Sequence, residues 1–244
     1  MANISLSELN LKSIEISNEE EWLEYVDILH NDTYLPLFEI RGANGSGKTT
    51  SVFMVLDWLL EREVPIVLKE TLKGKEKTVG LLFPDHRLVI LGDYLSGIKT
   101  CGCDSTFKTV KSLRETIEFV SRFDVMVLFE SVMNSSAFVP AYELYLKLPK
   151  PAVILILKKE FEELKRNVFK RGATVASKSK NFEKNLWGKY RTIETQIPKW
   201  EKVEKQHKGK FYLFVVKRSE DVYSILVDYF SLVFSSYKMK EVKK

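Results

Sequence analysis

Eight residues constrain this chain more than any others. Gly42-Ala43-Asn44-Gly45-Ser46-Gly47-Lys48-Thr49 satisfies every fixed position of G-x-x-x-x-G-K-[ST]. Ahead of it, Leu35 to Ile40 is an apolar run of strand length. Behind it, Val52, Val55, Leu56, Leu59 and Leu60 recur at helical spacing, which predicts a helix from about Lys48 to Glu61. Strand, glycine-rich loop and helix in that order form a phosphate cradle, because glycine turns the backbone so that its N–H groups face an anion. The start of the helix adds the positive end of its dipole. Gly42, Ala43, Asn44, Gly45, Ser46, Gly47, Lys48, Thr49 and Thr50 are therefore the expected nucleoside triphosphate site. Lys48 is placed to reach the β- and γ-phosphates, and the Thr49 hydroxyl to ligate Mg²⁺, with ATP as the expected nucleotide.

The rest of the chain supplies the strands and helices such a loop needs. Val64–Leu68, Val125–Phe129, Ala152–Leu157 and Phe211–Val216 are short apolar runs suited to a sheet buried on both faces. Thr78–Phe83 and Arg87–Leu91, joined by Pro84-Asp85-His86, predict a β-hairpin. Gly92 to Thr106 has the composition of a loop. Helices are expected near Asn18, over Phe107–Phe123, about Glu160–Arg171, about Asn181–Gln206 and about Glu220–Ser235, with Lys238–Lys244 a fraying tail. Strands alternating with helices give an α/β class: a three-layer α/β/α P-loop fold with a mostly parallel sheet, an added hairpin and a basic helical lid. We expect one domain over residues 1–244, with a nucleotide-binding core at 35–157, the lid and substrate region at 158–210, and the last strand, helix and tail at 211–244.

Charge is unevenly spread. Residues 158–218 hold 18 Lys/Arg against 7 Asp/Glu, or +11, while the remainder holds 20 against 26, or −6; together they make the net +5. A basic quarter of the chain attracts polyanions, either nucleotide phosphates or a nucleic-acid backbone. Met1 to Asn10 is polar and no apolar run approaches the roughly 18–20 residues that span a bilayer, so a cytoplasmic protein without a membrane partner is expected. Cys101 and Cys103 are too few for a disulfide framework and read as reduced thiols near a turn.

Several residues outside the loop have the chemistry of phosphoryl transfer. Glu130 ends an apolar strand, where a carboxylate in a parallel sheet faces the ligand crevice; it can hold Mg²⁺ or take a proton. Asp93 and Asp104 lie in the glycine-bearing loop after the hairpin, and either can act as base toward an attacking hydroxyl. Tyr94 beside Asp93 can stack on a base. Arg166 and Arg171, with Lys170, share a predicted helix where a lid begins, and a guanidinium suits the charge of a transferring phosphoryl group. No N-K-x-D for guanine is present, nor a carboxylate pair at the end of the Glu130 strand, nor a Ser-Gly-Gly-Gln signature. The kinase branch of P-loop proteins is what remains, although an ATPase or nucleotide switch stays open.

In order, the loop, Gly92-Asp93-Tyr94, Gly102-Cys103-Asp104, Phe129-Glu130-Ser131 and Arg166 to Arg171-Gly172 resemble the phage P-loop kinases that phosphorylate 5-hydroxymethyluracil in DNA, relatives of the nucleoside monophosphate kinases. The resemblance covers about Leu35 to Val216. It implies an ATP-dependent kinase acting on the hydroxymethyl group of a modified pyrimidine in DNA, one step of base hypermodification. The basic segment then acquires a use. Lys178, Lys180, Lys184, Lys189 and Arg191, interleaved with Phe182, Trp187 and Tyr190, would track the DNA backbone and stack on a base turned out of the duplex. A free nucleotide, nucleoside or other small molecule is the alternative acceptor.

Overall fold

A computed structural model describes residues 11–28, 35–72, 74–95, 102–131, 134, 136–170 and 181–241. Eight strands form one sheet: β1 (Ser13–Glu15), β2 (Leu37–Arg41), β3 (Ile66–Leu72), β4 (Lys75–Phe83), β5 (Leu88–Leu91), β6 (Met126–Glu130), β7 (Ala152–Leu157) and β8 (Phe211–Val216), in the order β1-β3-β4-β5-β6-β2-β7-β8. Every neighbouring pair is parallel except those that β4 makes with β3 and β5. The helices are α1 (Glu19–Leu23), α2 (Lys48–Leu60), α3 (Cys103–Thr106), α4 (Val110–Val120), α5 (Phe138–Lys147), α6 (Phe161–Lys170), α7 (Phe182–Gln206) and α8 (Ser219–Glu241).

Alternation along the strands builds the layers. Phe38 and Ile40 of β2 point to a core completed by Val52, Val55, Leu56 and Leu59 of α2 and Val222, Leu226 and Phe230 of α8. Leu37 points to the opposite core, completed by Leu113, Ile117 and Val120 of α4, Ala141 and Leu144 of α5, and Ile193, Trp200 and Val203 of α7. Glu39 and Arg41 share the parity of Leu37 and so enter this second layer as buried charges. The expected three-layer α/β fold is the one observed.

The hairpin before Gly92 is present, but β3 and β4 form a second one that apolar runs alone do not reveal. The strands extend through Lys69-Glu70-Thr71 and Lys75-Glu76-Lys77, with Lys69 Nζ donating to Glu76 Oε2 at 2.7 Å. That polar ribbon carries no hydrophobic signal. The helix expected over Phe107–Phe123 begins later, where the Thr109 hydroxyl accepts the Ser112 N–H at 3.1 Å. Cys103–Thr106, expected as loop, is one helical turn. α8 continues to Glu241, past the point where a fraying tail was expected. Of the two thiols, Cys103 is buried and donates to Leu91 O at 3.0 Å, while Cys101 lies outside the described residues. At the sheet edge, the Leu213 N–H of β8 donates to Glu204 Oε1 from α7 at 2.8 Å. Among the described residues no helix is long and apolar enough to cross a membrane.

Far from the phosphate loop, Lys150 is buried and donates to Phe123 O at 2.8 Å and Val125 O at 2.7 Å. Burial pushes its ammonium down to about 7, with the nearby Asp124 carboxylate pulling the other way. Between that value and the ordinary 10.5, the unfolded chain carries a proton that the folded chain lacks. Stability from this group therefore rises with pH across that window, by at most about 1.4 kcal/mol per pH unit. Thermal melts are expected to show Tm climbing from pH 7 to 8.5, and Lys150→Met to flatten that climb.

Candidate active site

β2 lies between β6 and β7, with Ile40 beside Glu130 on one side and Arg41 beside Ile156 on the other. The chain leaves β2 toward one flank of the sheet and later crosses to the other. The carboxyl end of β2 is therefore the switch point where an open α/β sheet has its crevice, and residues 42–47 turn there before α2 begins at Lys48.

The loop is held from three sides. Lys48 Nζ donates back to Gly42 O at 2.9 Å and to Ala43 O at 3.4 Å. Ser219 Oγ, at the start of α8, donates to Gly47 O at 3.1 Å. From α6, Asn167 Nδ2 donates to Gly45 O at 3.0 Å. Gly45 has φ +82, and a Cβ there would stand 2.7 Å from Leu164 O, so only glycine lets α6 come this close. Ala43, Leu164, Val168, Phe182 and Leu186 form the small core that fastens α6 and the start of α7 over the loop.

The acids divide by position. Glu130 is 5% exposed at the end of β6 and accepts the Thr49 hydroxyl at 3.1 Å. Thus a hydroxyl and a carboxylate meet at the first turn of α2. Asp104 is exposed on α3 and accepts the Ser131 hydroxyl at 2.7 Å. Gly102 separates the two acids: its φ is +91, and a Cβ there would lie 2.4 Å from Glu130 Oε1. Burial pushes the Cys103 thiol up, and the negative charges of Glu130 and then Asp104 push it further. Asp93 is occupied differently. Its Oδ1 accepts the Leu95 N–H at 2.9 Å, its N–H donates to Thr106 Oγ1 at 2.7 Å, and its carbonyl accepts the Gly102 N–H at 2.8 Å. It shapes the loop that carries Asp104.

Tyr94, expected as a base-stacking ring, is 2% exposed and sits edge-on to Phe53 with 5.7 Å between ring centres. Its face belongs to the core of the α2 layer, so it does not offer a stacking surface. On α7, Lys184 and Arg191 are exposed and Trp187 is 47% exposed, packed against Phe161 and Tyr190 at 4.9 and 5.3 Å. Lys189 is half-buried: burial lowers its ammonium, and the Asp104 carboxylate opposes that shift. This places the Lys189 charge within electrostatic reach of Asp104. Arg166 is exposed on α6, one residue before the Asn167 that touches the loop. Arg171, Lys178 and Lys180 lie outside the described residues. Sequence reasoning passed over Asn167 and the buried pair Glu39 and Arg41, and took Ser131 only as a member of the Phe129-Glu130-Ser131 motif; for the buried pair the one available signal was two charges at alternate positions in an otherwise apolar strand.

The loop suits a triphosphate. The Ser46 hydroxyl is fully buried within it and has no hydrogen-bond partner among the described residues, as expected of a donor kept for an anion. Thr49 Oγ1 and Glu130 are oxygen donors of the kind Mg²⁺ takes alongside phosphate oxygens and water.

Residues 36–112 match the family described as 5-hmdU DNA kinase 2. No curated protein matches the chain significantly. Among solved structures, the chain is similar to deoxyadenosine kinase from M. mycoides with bound dCTP, at 13% identity and TM-score 0.38. It is also similar to the M. mycoides enzyme with the products dCMP and a flexible dCDP, at 12% identity and TM-score 0.37. Both alignments cover 80% of this chain and 98% of the other.

Proposed function

We propose that this P-loop kinase, similar over residues 36–112 to the 5-hmdU DNA kinases, transfers the γ-phosphoryl group of ATP to the hydroxymethyl oxygen of 5-hydroxymethyluracil in DNA. The observation that carries the reading is the division of the two acids. Glu130 is turned to the loop hydroxyl of Thr49, and Asp104 is held by Ser131 on the exposed side.

Gly42 to Thr50 bind the triphosphate, with Lys48 leaving its loop carbonyls for phosphate oxygens. Mg²⁺, when bound, neutralises charge developing on the phosphates, and Thr49 and Glu130 are the side chains that would hold it. Asp104 takes the proton from the acceptor hydroxyl as the oxygen bonds to phosphorus and the bond to ADP breaks. Arg166 supplies positive charge from α6, and Arg171 is the second guanidinium assigned to the transferring phosphoryl group. Lys184, Lys189 and Arg191 contact the DNA backbone, and the exposed Trp187 with Tyr190 receives the extruded base. A base must leave the duplex to meet the phosphate, which costs a few kcal/mol of stacking.

Incubation with γ-labelled ATP and a duplex containing 5-hydroxymethyluracil is expected to place label on the DNA, with a rate falling steeply as salt rises. Asp104→Asn is expected to lower transfer by about 10²-fold or more. Label on free nucleosides but not on DNA would make the acceptor a small molecule. Hydrolysis without any labelled acceptor would make the protein an ATPase.

A further inference from the structure

We propose that Arg41 is a positioning residue of this site, fixing the acceptor-side carboxylate and the basic helix α7 relative to the phosphate loop through one buried network. The proposal rests on the kinase reading above, and its test separates the two.

Arg41 is the last residue of β2, directly before Gly42, and its side chain is fully buried. Its guanidinium fork serves three segments. Nη1 donates to Glu39 Oε2 at 2.7 Å. Nη2 donates to Asn134 O at 2.9 Å and to Gln196 Oε1 on α7 at 2.9 Å. The guanidinium lies 5.2 Å from the ring centre of Trp200, also on α7. Glu39 is equally engaged, accepting Asn134 Nδ2 at 2.9 Å and the Tyr145 hydroxyl at 2.6 Å. Burial and then the Glu39 charge push the Tyr145 phenol well above its ordinary range, so it stays a donor. From Asn134 the network reaches the site: its N–H donates to Ser131 Oγ at 3.1 Å, and the Ser131 hydroxyl donates to Asp104 Oδ1.

Two buried charges are a costly way to fill a core that Leu or Met would fill as well. What they provide is geometry. One guanidinium ties the strand that ends in the phosphate loop to the segment bearing Asp104's partner and to the helix bearing Trp187, Lys189 and Arg191. A lysine ammonium cannot reproduce that fork, because its donors radiate from a single point. Glu39, Asn134 and Tyr145 lock the fork's orientation in turn.

The test compares Arg41→Lys, Gln196→Leu and the double variant. Three readouts are transfer to 5-hydroxymethyluracil DNA, ATP affinity by calorimetry, and hydrogen exchange. Arg41→Lys is expected to cut kcat about 10- to 100-fold with ATP affinity within about twofold. Gln196→Leu is expected to raise KM for DNA several-fold with kcat nearly kept. The double variant should lose no more kcat/KM for DNA than Arg41→Lys alone, since parts of one unit do not add. In both single variants, amide exchange should quicken in residues 190–200, and in Arg41→Lys also at Ser131 and Asn134, while α2 is unchanged. Unchanged exchange in those segments would overturn the proposal. So would ATP affinity falling in step with transfer, or purely additive losses. If Arg41→Lys does not fold, Gln196→Leu decides by its KM and its exchange around 190–200. If the wild-type protein labels no DNA, the acceptor reading fails, and the exchange measurements still decide the network.

Discussion

Lys48→Ala is expected to abolish phosphoryl transfer, lowering kcat by about 10³-fold or more, the range attached to removing a cation from a transferring phosphoryl group. Lys48 is 5% exposed, and its ammonium is held over the loop by Gly42 O and Ala43 O. Binding a triphosphate exchanges those carbonyls for phosphate oxygens at little reorganisation, because the ammonium is already enclosed. Alanine removes both the charge and the clasp, so ATP affinity should fall as well. Single-turnover assays with labelled ATP, beside calorimetry with Mg²⁺ present, measure the two losses separately. A variant that keeps a tenth of wild-type transfer would remove Lys48 from the mechanism.

Glu130→Gln should have the next largest effect, about 10²- to 10³-fold on kcat. Glutamine keeps the shape of the side chain and can still accept the Thr49 hydroxyl, so the change isolates the negative charge. If Glu130 serves Mg²⁺ beside Thr49, the Mg²⁺ concentration for half-maximal rate should rise at least several-fold, and Tm should change little. An unchanged Mg²⁺ requirement would detach Glu130 from the metal. Asp104→Asn offers the contrast: its loss should fall on transfer with the Mg²⁺ requirement unaltered.

What could be read from the sequence was what is contiguous in it. The phosphate loop is a single stretch with its strand and helix on either side, and β6 and β7 are apolar because both faces are covered. Elements with little apolar signal were missed: the three residues of β1 and the charged ribbon of β3 and β4; α5 was passed over although Ala141, Leu144 and Tyr145 recur on one face at helical spacing. Tyr94 sits in a polar loop and looked available to a ligand, but its partner Phe53 comes from α2, a contact no local pattern reveals. The network behind the loop was hidden for the same reason. Arg41 meets Asn134 at 93 positions and Gln196 at 155 positions along the chain. Asn167 meets Gly45 at 122. Spacing rules act over a few turns and cannot see such pairs, so Arg166 and Arg171 were legible and Asn167, the side chain that reaches the loop, was not.

One feature of the periphery bears on how the protein behaves when crowded. β8 ends the sheet with Tyr212, Phe214 and Val215 substantially exposed, a border on which a foreign strand would otherwise zip. Glu204 claims the Leu213 amide that such a strand would use, and Lys208 and Lys217 bracket the border with like charge. Copies meeting there antiparallel would bring lysine to lysine, so growth of a shared sheet into fibres is discouraged at its first rung.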